Sequence, residues 1–302
     1  MYKVDIEGES THYFLLLPQI TSGSQSSMPT RTTDRVPGMP GPTVSHGLGL
    51  HLPRILCLHG GGTNARIFRN QCRSLLEQLK PHFRLVFADA PFYAGPGPDV
   101  ESVYAQWGPF RSWVRPTAGV MPVTWGPVSL DVDAIDRAIR TAVEADNSAG
   151  ATGSVVGLLG FSQGAKMAGC LLLRQQEEHS RQKKANEEGE TMLQLGLFAV
   201  LIAGRGPLNA LDDDDARQTP LPLRLPTIHV HGLRDPNLAM HRDLLHRDCV
   251  KGTAQVIEWD GDHRVPIKTK DVARVVAAIC NVARETGIEL GFSEGTGCLD
   301  TV

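Results

Sequence analysis

From Arg54 onward, six short apolar runs alternate with longer segments of helical period, and that rhythm admits few folds other than a parallel sheet covered by helices. The runs are RILCL (54 to 58), RLVFAD (84 to 89), SVVGLLG (154 to 160), LGLFAVLIAG (195 to 204), TIHVHG (227 to 232) and AQVIEW (254 to 259). Between the first two, Phe68, Cys72, Leu75, Leu76 and Leu79 fall on one helical stripe, with Thr63 or Asn64 as N-cap and Pro81 as the stop. Val132, Ile135, Ile139, Ala142 and Val143 make a second stripe, and a helix is expected from Gln163 to about Gln176. The closing helix aligns Val272, Val275, Val276 and Ile279, with Gly287 where a C-cap glycine belongs.

The 302 residues hold one such α/β domain with some chain left over. Residues 22 to 49 are rich in Ser, Thr, Pro and Gly, so residues 1 to 50 are expected to be a disordered extension. The domain then spans 51 to 290, with 291 to 302 as a flexible tail. The mixed charge run EEHSRQKKANEEGE (177 to 190) reads as a helix extended into solvent or a surface insertion.

Composition narrows the partners. A net charge of -3 leaves no basic footprint for nucleic acid or for an anionic membrane. No apolar run is long enough to span a bilayer, and the acidic start with its four-residue apolar run is unlike a secretory signal. Six widely spaced cysteines, with no C-x-x-C pair, fit a reducing compartment better than a disulfide scaffold or a zinc ribbon. The expected location is cytoplasmic. Nothing in the sequence specifies an oligomer.

Residues 91 to 127 break the rhythm. They carry no clear helical or strand period and are too long for a plain strand-to-helix loop, which marks a lid or a binding loop. Phe92, Tyr93, Phe110 and Trp113 are among the seven aromatic residues there, enough to line an apolar pocket or, alternatively, to cap the sheet edge. The pocket is the favoured reading, because ligands of open α/β sheets bind at the carboxyl ends of strands.

The strongest local signal is Gly160-Phe161-Ser162-Gln163-Gly164, which directly follows an apolar strand and opens a helix with a small near face, Ala165, Ala168 and Gly169. Alone, Gly-x-Ser-x-Gly is weak in a chain with 31 glycines. In this context it is what a nucleophile elbow requires. A serine hydroxyl needs a base within hydrogen-bond reach and a carboxylate that holds the base in the right tautomer. In folds with such an elbow the order along the chain is serine, acid, histidine. Asp235 follows strand 227 to 232, and His263 follows strand 254 to 259, each on a loop at a strand's carboxyl end.

Competing candidates are weaker. Asp212 to Asp215 form a solvated run between strands, and Asp260 and Asp262 lie too near His263 in sequence to hold its far nitrogen. His229 and His231 share a strand face, but no third ligand is spaced to complete a metal site. His241 and His246, five apart on a helix, do not come together. No metal is expected, and the cysteines read as inert core thiols. For an oxyanion, the N–H after the serine (Gln163) pairs with one from the loop His59-Gly60-Gly61-Gly62-Thr63-Asn64, either Gly61 or Gly62. The loop lacks the Lys and Ser/Thr of a Walker phosphate cradle.

Taken together, RILCLHG (54 to 60), DAPF (89 to 92), GPGP (95 to 98), GPFRSW (108 to 113), GFSQG (160 to 164), HVHGLRD (229 to 235) and GDHRVP (261 to 266) resemble the FSH family of serine hydrolases, over about residues 53 to 284. The resemblance implies an α/β-hydrolase fold with a triad on Ser162, Asp235 and His263. Many fungal members similar to this chain accompany polyketide synthases and release or trim the acyl product as esterases or thioesterases. The early loop is richer in glycine than the family pattern, and the first fifty residues have no counterpart in it. The expectation is therefore a serine hydrolase for an apolar acyl ester or thioester, with a polyketide synthase carrier domain as a partner and no cofactor. A general carboxylesterase for small esters and a non-catalytic receptor on the same scaffold are the alternatives.

Overall fold

A computed structural model describes residues 49–115, 131–185, 196–209, 211 and 222–290. Most of the expected N-terminal extension, the C-terminal tail and the acidic run 212 to 215 lie outside them. The elements in chain order are β1 (Arg54–Leu58), α1 (Ala65–Gln71), α2 (Arg73–Leu79), β2 (Arg84–Ala88), β3 (Phe92–Ala94), α3 (Glu101–Tyr104), a short 3-10 turn (Ala105–Trp107), β4 (Phe110–Ser112) and α4 (Val132–Ser148). They continue as β5 (Val155–Phe161), α5 (Gln163–Ala185), β6 (Phe198–Ile202), β7 (Thr227–Gly232), α6 (Leu238–Asp248), β8 (Ala254–Trp259) and α7 (Thr269–Glu285).

Six strands form one sheet in the order β2-β1-β5-β6-β7-β8, every neighbouring pair parallel. The chain runs outward from β1 to β2, then returns to lay β5 on the other side of β1. This reversal opens a crevice at the carboxyl ends of β1 and β5, where α/β sheets bind ligands. Strand periodicity divides the core. Ile55, Cys57, Leu159, Phe161, Val200 and Ile202 face one layer, built on α1, α2 and α7, while Leu56, Leu58, Leu158, Ala199 and Leu201 face the other, built on α4, α5 and α6. Because both faces are covered, these strands read in the sequence as continuous apolar runs.

The helices start and stop for local reasons. Asn64, one of the two expected caps, accepts the Ile67 N–H at 2.8 Å, and Asp131 accepts that of Ala134 at 3.0 Å. Along α7, Val272, Val275 and Ile279 are fully buried, each contributing roughly 1.5–3 kcal/mol. The helix ends at Gly287, whose φ of +80° suits a residue without Cβ.

Three expectations need correction. The stripe from Phe68 to Leu79 is carried by two helices, not one, with Cys72 between them bonded back to Phe68 and Asn70 carbonyls. Helix α5 runs to Ala185 rather than ending near Gln176, and the start of the charge run is a continuation of that helix, the first of the two readings given for it. Within residues 91 to 127, where no strand period is visible, β3 and β4 pair as an antiparallel hairpin, Tyr93 opposite Arg111. Residues 116 to 130 lie outside the described set.

At the base of the sheet, Asp146 near the end of α4 receives three bonds from Arg84, the shortest 2.6 Å, and lies 3.4 Å from the Arg54 guanidinium. This buried cluster fastens α4 to β1 and β2. A groove of about 560 Å³ beside it is lined by Arg66, Phe83, Arg84 and Phe87, away from the crevice.

Candidate active site

Four loops meet at the carboxyl end of the sheet. Ser162 sits in the turn from β5 to α5 with φ +53°, a left-handed conformation that costs a non-glycine residue energy. Its N–H donates to Ile202 O at 2.9 Å, which holds the turn against β6. The turn is tight enough that a Cβ on Gly160 would overlap the Gly164 carbonyl, and one on Gly164 the Leu58 carbonyl. Only glycine fits at either position, and this is why the elbow spacing is what it is.

Asp235 and His263 come from the loops after β7 and β8. Those loops are stitched together, Leu233 N–H to Trp259 O at 2.9 Å and Arg234 N–H to Gly261 O at 2.8 Å. The stitching sets the two side chains against each other. His263 Nδ1 lies 2.6 Å from Asp235 Oδ2, and His263 Nε2 lies 2.9 Å from Ser162 Oγ. Asp235 is buried, whereas the imidazole is about a third exposed, open to the crevice. Burial alone would raise the Asp235 carboxyl. The Asn237 N–H at 2.8 Å, the His263 hydrogen bond and the imidazoles of His263 and His241 outweigh it and hold the group below the usual aspartate value. It is a carboxylate at neutral pH.

Across the crevice, the loop after β1 is held rigid from behind. His59 is fully buried, and burial pulls it down to about 4 despite its bond to the Gly60 carbonyl. The ring is therefore neutral, with Nδ1 donating to Gly60 O at 2.7 Å and Nε2 accepting from Ala90 N–H at 3.0 Å. Thr63 Oγ1 donates to the same Gly60 carbonyl at 2.6 Å. Of the two expected loop donors, Gly62 spends its N–H on Arg111 O at 2.9 Å. That leaves Gly61, whose N–H takes no backbone partner among the described residues. The Gln163 N–H, in the first turn of α5, is likewise one of the donors a helix start leaves over. Gly61 itself lies against the Gln163 side chain, which brings the glycine loop beside the turn that carries Ser162.

The aromatic residues of the hairpin divide. Trp113 is fully buried, its indole N–H donating to His59 O at 2.9 Å and its backbone N–H to Gln163 Oε1 at 2.8 Å. It is a strut of the glycine loop, not the open pocket wall expected from composition. Tyr93 is 67% exposed under the Arg111 guanidinium, facing solvent. Phe92 and Phe110 are half-buried, with the Arg115 guanidinium over the Phe92 ring.

Rival residues are placed elsewhere. Asp260 pairs with Arg234 and Asp262 with Arg264, so neither competes for His263. Cys57, Cys72, Cys170 and Cys249 are buried, and burial pushes each thiol up, Cys249 to about 11. Folding brings to two of the other histidines neighbours that spacing along the chain does not indicate. Cys249 Sγ comes within 3.6 Å of His229 Nε2, and His241 comes within 3.7 Å of Asp235 Oδ2. Ligand atoms of Asp235, His241 and His263 lie within 4.8 Å of one another. His241 is the residue that sequence reasoning missed. Its one signal is that it shares the buried face of α6 with Leu244, an unusual place for a histidine just after the acid loop.

Comparison with known proteins adds an independent line. The family model described as Serine hydrolase (FSH1) matches residues 50–275. A probable esterase of Aspergillus terreus is 54% identical over 260 residues, covering 84% of this chain and 96% of its own. Esterase pigG of Monascus ruber is 50% identical, covering 83% and 98%. Probable esterase afoC of Emericella nidulans is 47% identical, covering 80% and 94%. Among solved structures, acyl-protein thioesterase 2 of Zea mays aligns at 18% identity with a TM-score of 0.48, covering 78% of this chain and 95% of that one.

Proposed function

The chain belongs to the FSH1 family of serine hydrolases and is an ester-hydrolysing enzyme of the α/β-hydrolase fold, and on that premise we propose that it cleaves an apolar acyl ester or thioester through an acyl-enzyme on Ser162. The observation that carries this reading is the continuous relay from Ser162 Oγ through His263 to Asp235, at 2.9 and 2.6 Å.

In the first step Ser162 Oγ bonds to the acyl carbon while His263 Nε2 takes its proton. Asp235, ionised and buried, keeps the remaining ring proton on Nδ1 and stabilises the imidazolium that forms. The carbonyl oxygen becomes an oxyanion and is received by the N–H groups of Gln163 and Gly61, aligned before charge develops; a donor of this type is worth about 3 kcal/mol of barrier. Collapse expels the alcohol or thiol, which leaves with the proton from His263. A water molecule then repeats the sequence on the acyl-enzyme and frees Ser162.

Half-buried Phe92 and Phe110, on the hairpin whose end Trp113 ties to Gln163 beside Ser162, support an apolar acyl group. The family resemblance supports a polyketide product, released from a carrier-domain thiol or trimmed as an ester. Ser162→Ala is expected to abolish both turnover of p-nitrophenyl esters and labelling by a fluorophosphonate, with an unchanged circular dichroism spectrum. Asp235→Asn is expected to lower kcat by about 10⁴ through the wrong tautomer. Wild-type turnover by either variant would remove the assignment. A rate ratio favouring acetyl over octanoyl esters would replace the apolar acyl substrate by small esters.

A further inference from the structure

On the side of Asp235 remote from the crevice, α6 presents His241. The residue is fully buried, and neither of its ring nitrogens has a hydrogen-bond partner among the described residues. A buried polar group left unmatched costs about 1–3 kcal/mol, and native interiors keep few of them without a reason. The nearest carboxylate atom to His241 Nε2 is Asp235 Oδ2 at 3.7 Å, the same oxygen that His263 Nδ1 approaches at 2.6 Å. Asp235 Oδ1, by contrast, is occupied by the Asn237 amides at 2.8 and 3.3 Å. Two imidazoles therefore converge on one oxygen, one in the crevice and one behind it.

The surroundings of His241 fix its charge. It faces Asp235 from the loop after β7, His231 from β7 itself, His263 from the loop after β8 and Arg205 from the loop after β6. His231 in turn faces Glu258 of β8 and Arg242 and His246 of α6. The rings of His229, His231, His241 and His263 form a row with successive centroids 5.9, 5.8 and 5.9 Å apart. Burial lowers His241 to about 4, more than the Asp235 charge raises it, and lowers His231 to about 4 and His229 to about 3. At neutral pH the three rings behind Asp235 carry no charge. A cation there would compete with His263 for the carboxylate; a neutral ring offers only the dipole of one N–H.

We propose that His241 is a positioning residue: its neutral ring directs an Nε2–H dipole at Asp235 Oδ2 and thereby moderates the hold of that carboxylate on the protonated form of His263. The proposal rests on the triad reading above. At 3.7 Å the contact is longer than a hydrogen bond, so it does not displace the 2.6 Å bond. It partly offsets the negative charge that Oδ2 presents. Removing the N–H leaves the full charge facing His263, whose imidazolium then persists to higher pH.

The test is the pH dependence of kcat/KM for a p-nitrophenyl ester in the wild type, His241→Phe, which fills the space without an N–H, and His241→Gln, which restores one. The expected result is an acid-side midpoint raised by about half a pH unit in His241→Phe, a roughly threefold change in proton affinity, and returned to the wild-type position in His241→Gln. An unchanged midpoint in His241→Phe, or an equal shift in both variants, overturns the proposal, because a purely space-filling role moves neither. If His241→Phe does not fold, histidine nitrogen NMR of the wild type decides: a proton on Nε2 of His241 supports the proposal and a proton on Nδ1 overturns it. Fluorophosphonate labelling of Ser162 separates the two ideas. Loss of the His241 effect with labelling intact refutes only the proposal, whereas no labelling of the wild type refutes the triad.

Discussion

Acidification should unfold this protein well above the pH at which its carboxylates titrate. His59, His229, His231 and His241 are buried, and burial holds them at about 4, 3, 4 and 4, whereas in the unfolded chain each has the ordinary value of about 6.5. Between those limits the unfolded state binds more protons than the folded one, so stability falls as pH falls. The loss begins near the unfolded value of about 6.5 and is complete near the folded value. At pH 5 each unfolded imidazole lies about 1.5 units below its pKa, which favours unfolding by about 2 kcal/mol per residue. Four such groups come to about 8 kcal/mol, comparable with the whole stability of a typical domain, about 5–15 kcal/mol. Asp235, held below the ordinary aspartate value, contributes only at lower pH, and Asp248, raised by burial, takes up a proton in the folded state and offsets a little of the loss. Urea unfolding followed by tryptophan fluorescence at pH 7.5, 6 and 5 measures the effect. For a slope of about 3 kcal/mol per molar, the midpoint should drop by about 2–3 M. A midpoint at pH 5 within about 0.5 M of that at pH 7.5 would show that these rings are not held neutral by burial.

Two further outcomes follow from the fold. Asp146→Ala takes the carboxylate away from Arg84 and leaves the buried Arg54 guanidinium with Asn147 Oδ1, at 2.6 Å, as its side-chain acceptor among the described residues; stability should fall by about 2 kcal/mol, read as a lower urea midpoint with kcat unchanged. Gly62→Ala places a Cβ against the Gly97 and Pro96 backbone at a φ of +70°; kcat should fall at least tenfold as the loop carrying Gly61 shifts, with a smaller change in KM, and wild-type kcat would show that the loop geometry is not needed.

The sequence and the folded chain agree where one local rule decides. The inner strands β1, β5, β6 and β7 are buried on both faces and so appear as apolar runs, whereas the edge strand β8 exposes Gln255 and Val256; Ser162, Asp235 and His263 are legible as site candidates because each follows the end of a strand run. The break at Cys72 is hidden because the apolar stripe passes through it uninterrupted, Phe68 and Leu75 both packing in the same layer. Strands β3 and β4 have three residues each, too few for an alternation to register. Trp113 suggests a pocket by composition, yet what decides its place is two hydrogen bonds, to His59 O and Gln163 Oε1, each spanning about fifty positions. His241 is invisible for a similar reason. Only the docking of α6 behind β7 brings it to Asp235, and no spacing along the chain encodes that.

The serine and the histidine of the relay stand 101 positions apart, and the histidine follows the last strand of the sheet. On the proposed mechanism, a chain emerging from the ribosome carries its elbow long before it carries a base, and until β8 has docked on the sheet edge the hydroxyl has no group to take its proton. Onset of ester cleavage during synthesis would in effect time the arrival of the final strand, and a product truncated before residue 263 would be inert toward the acyl groups around it.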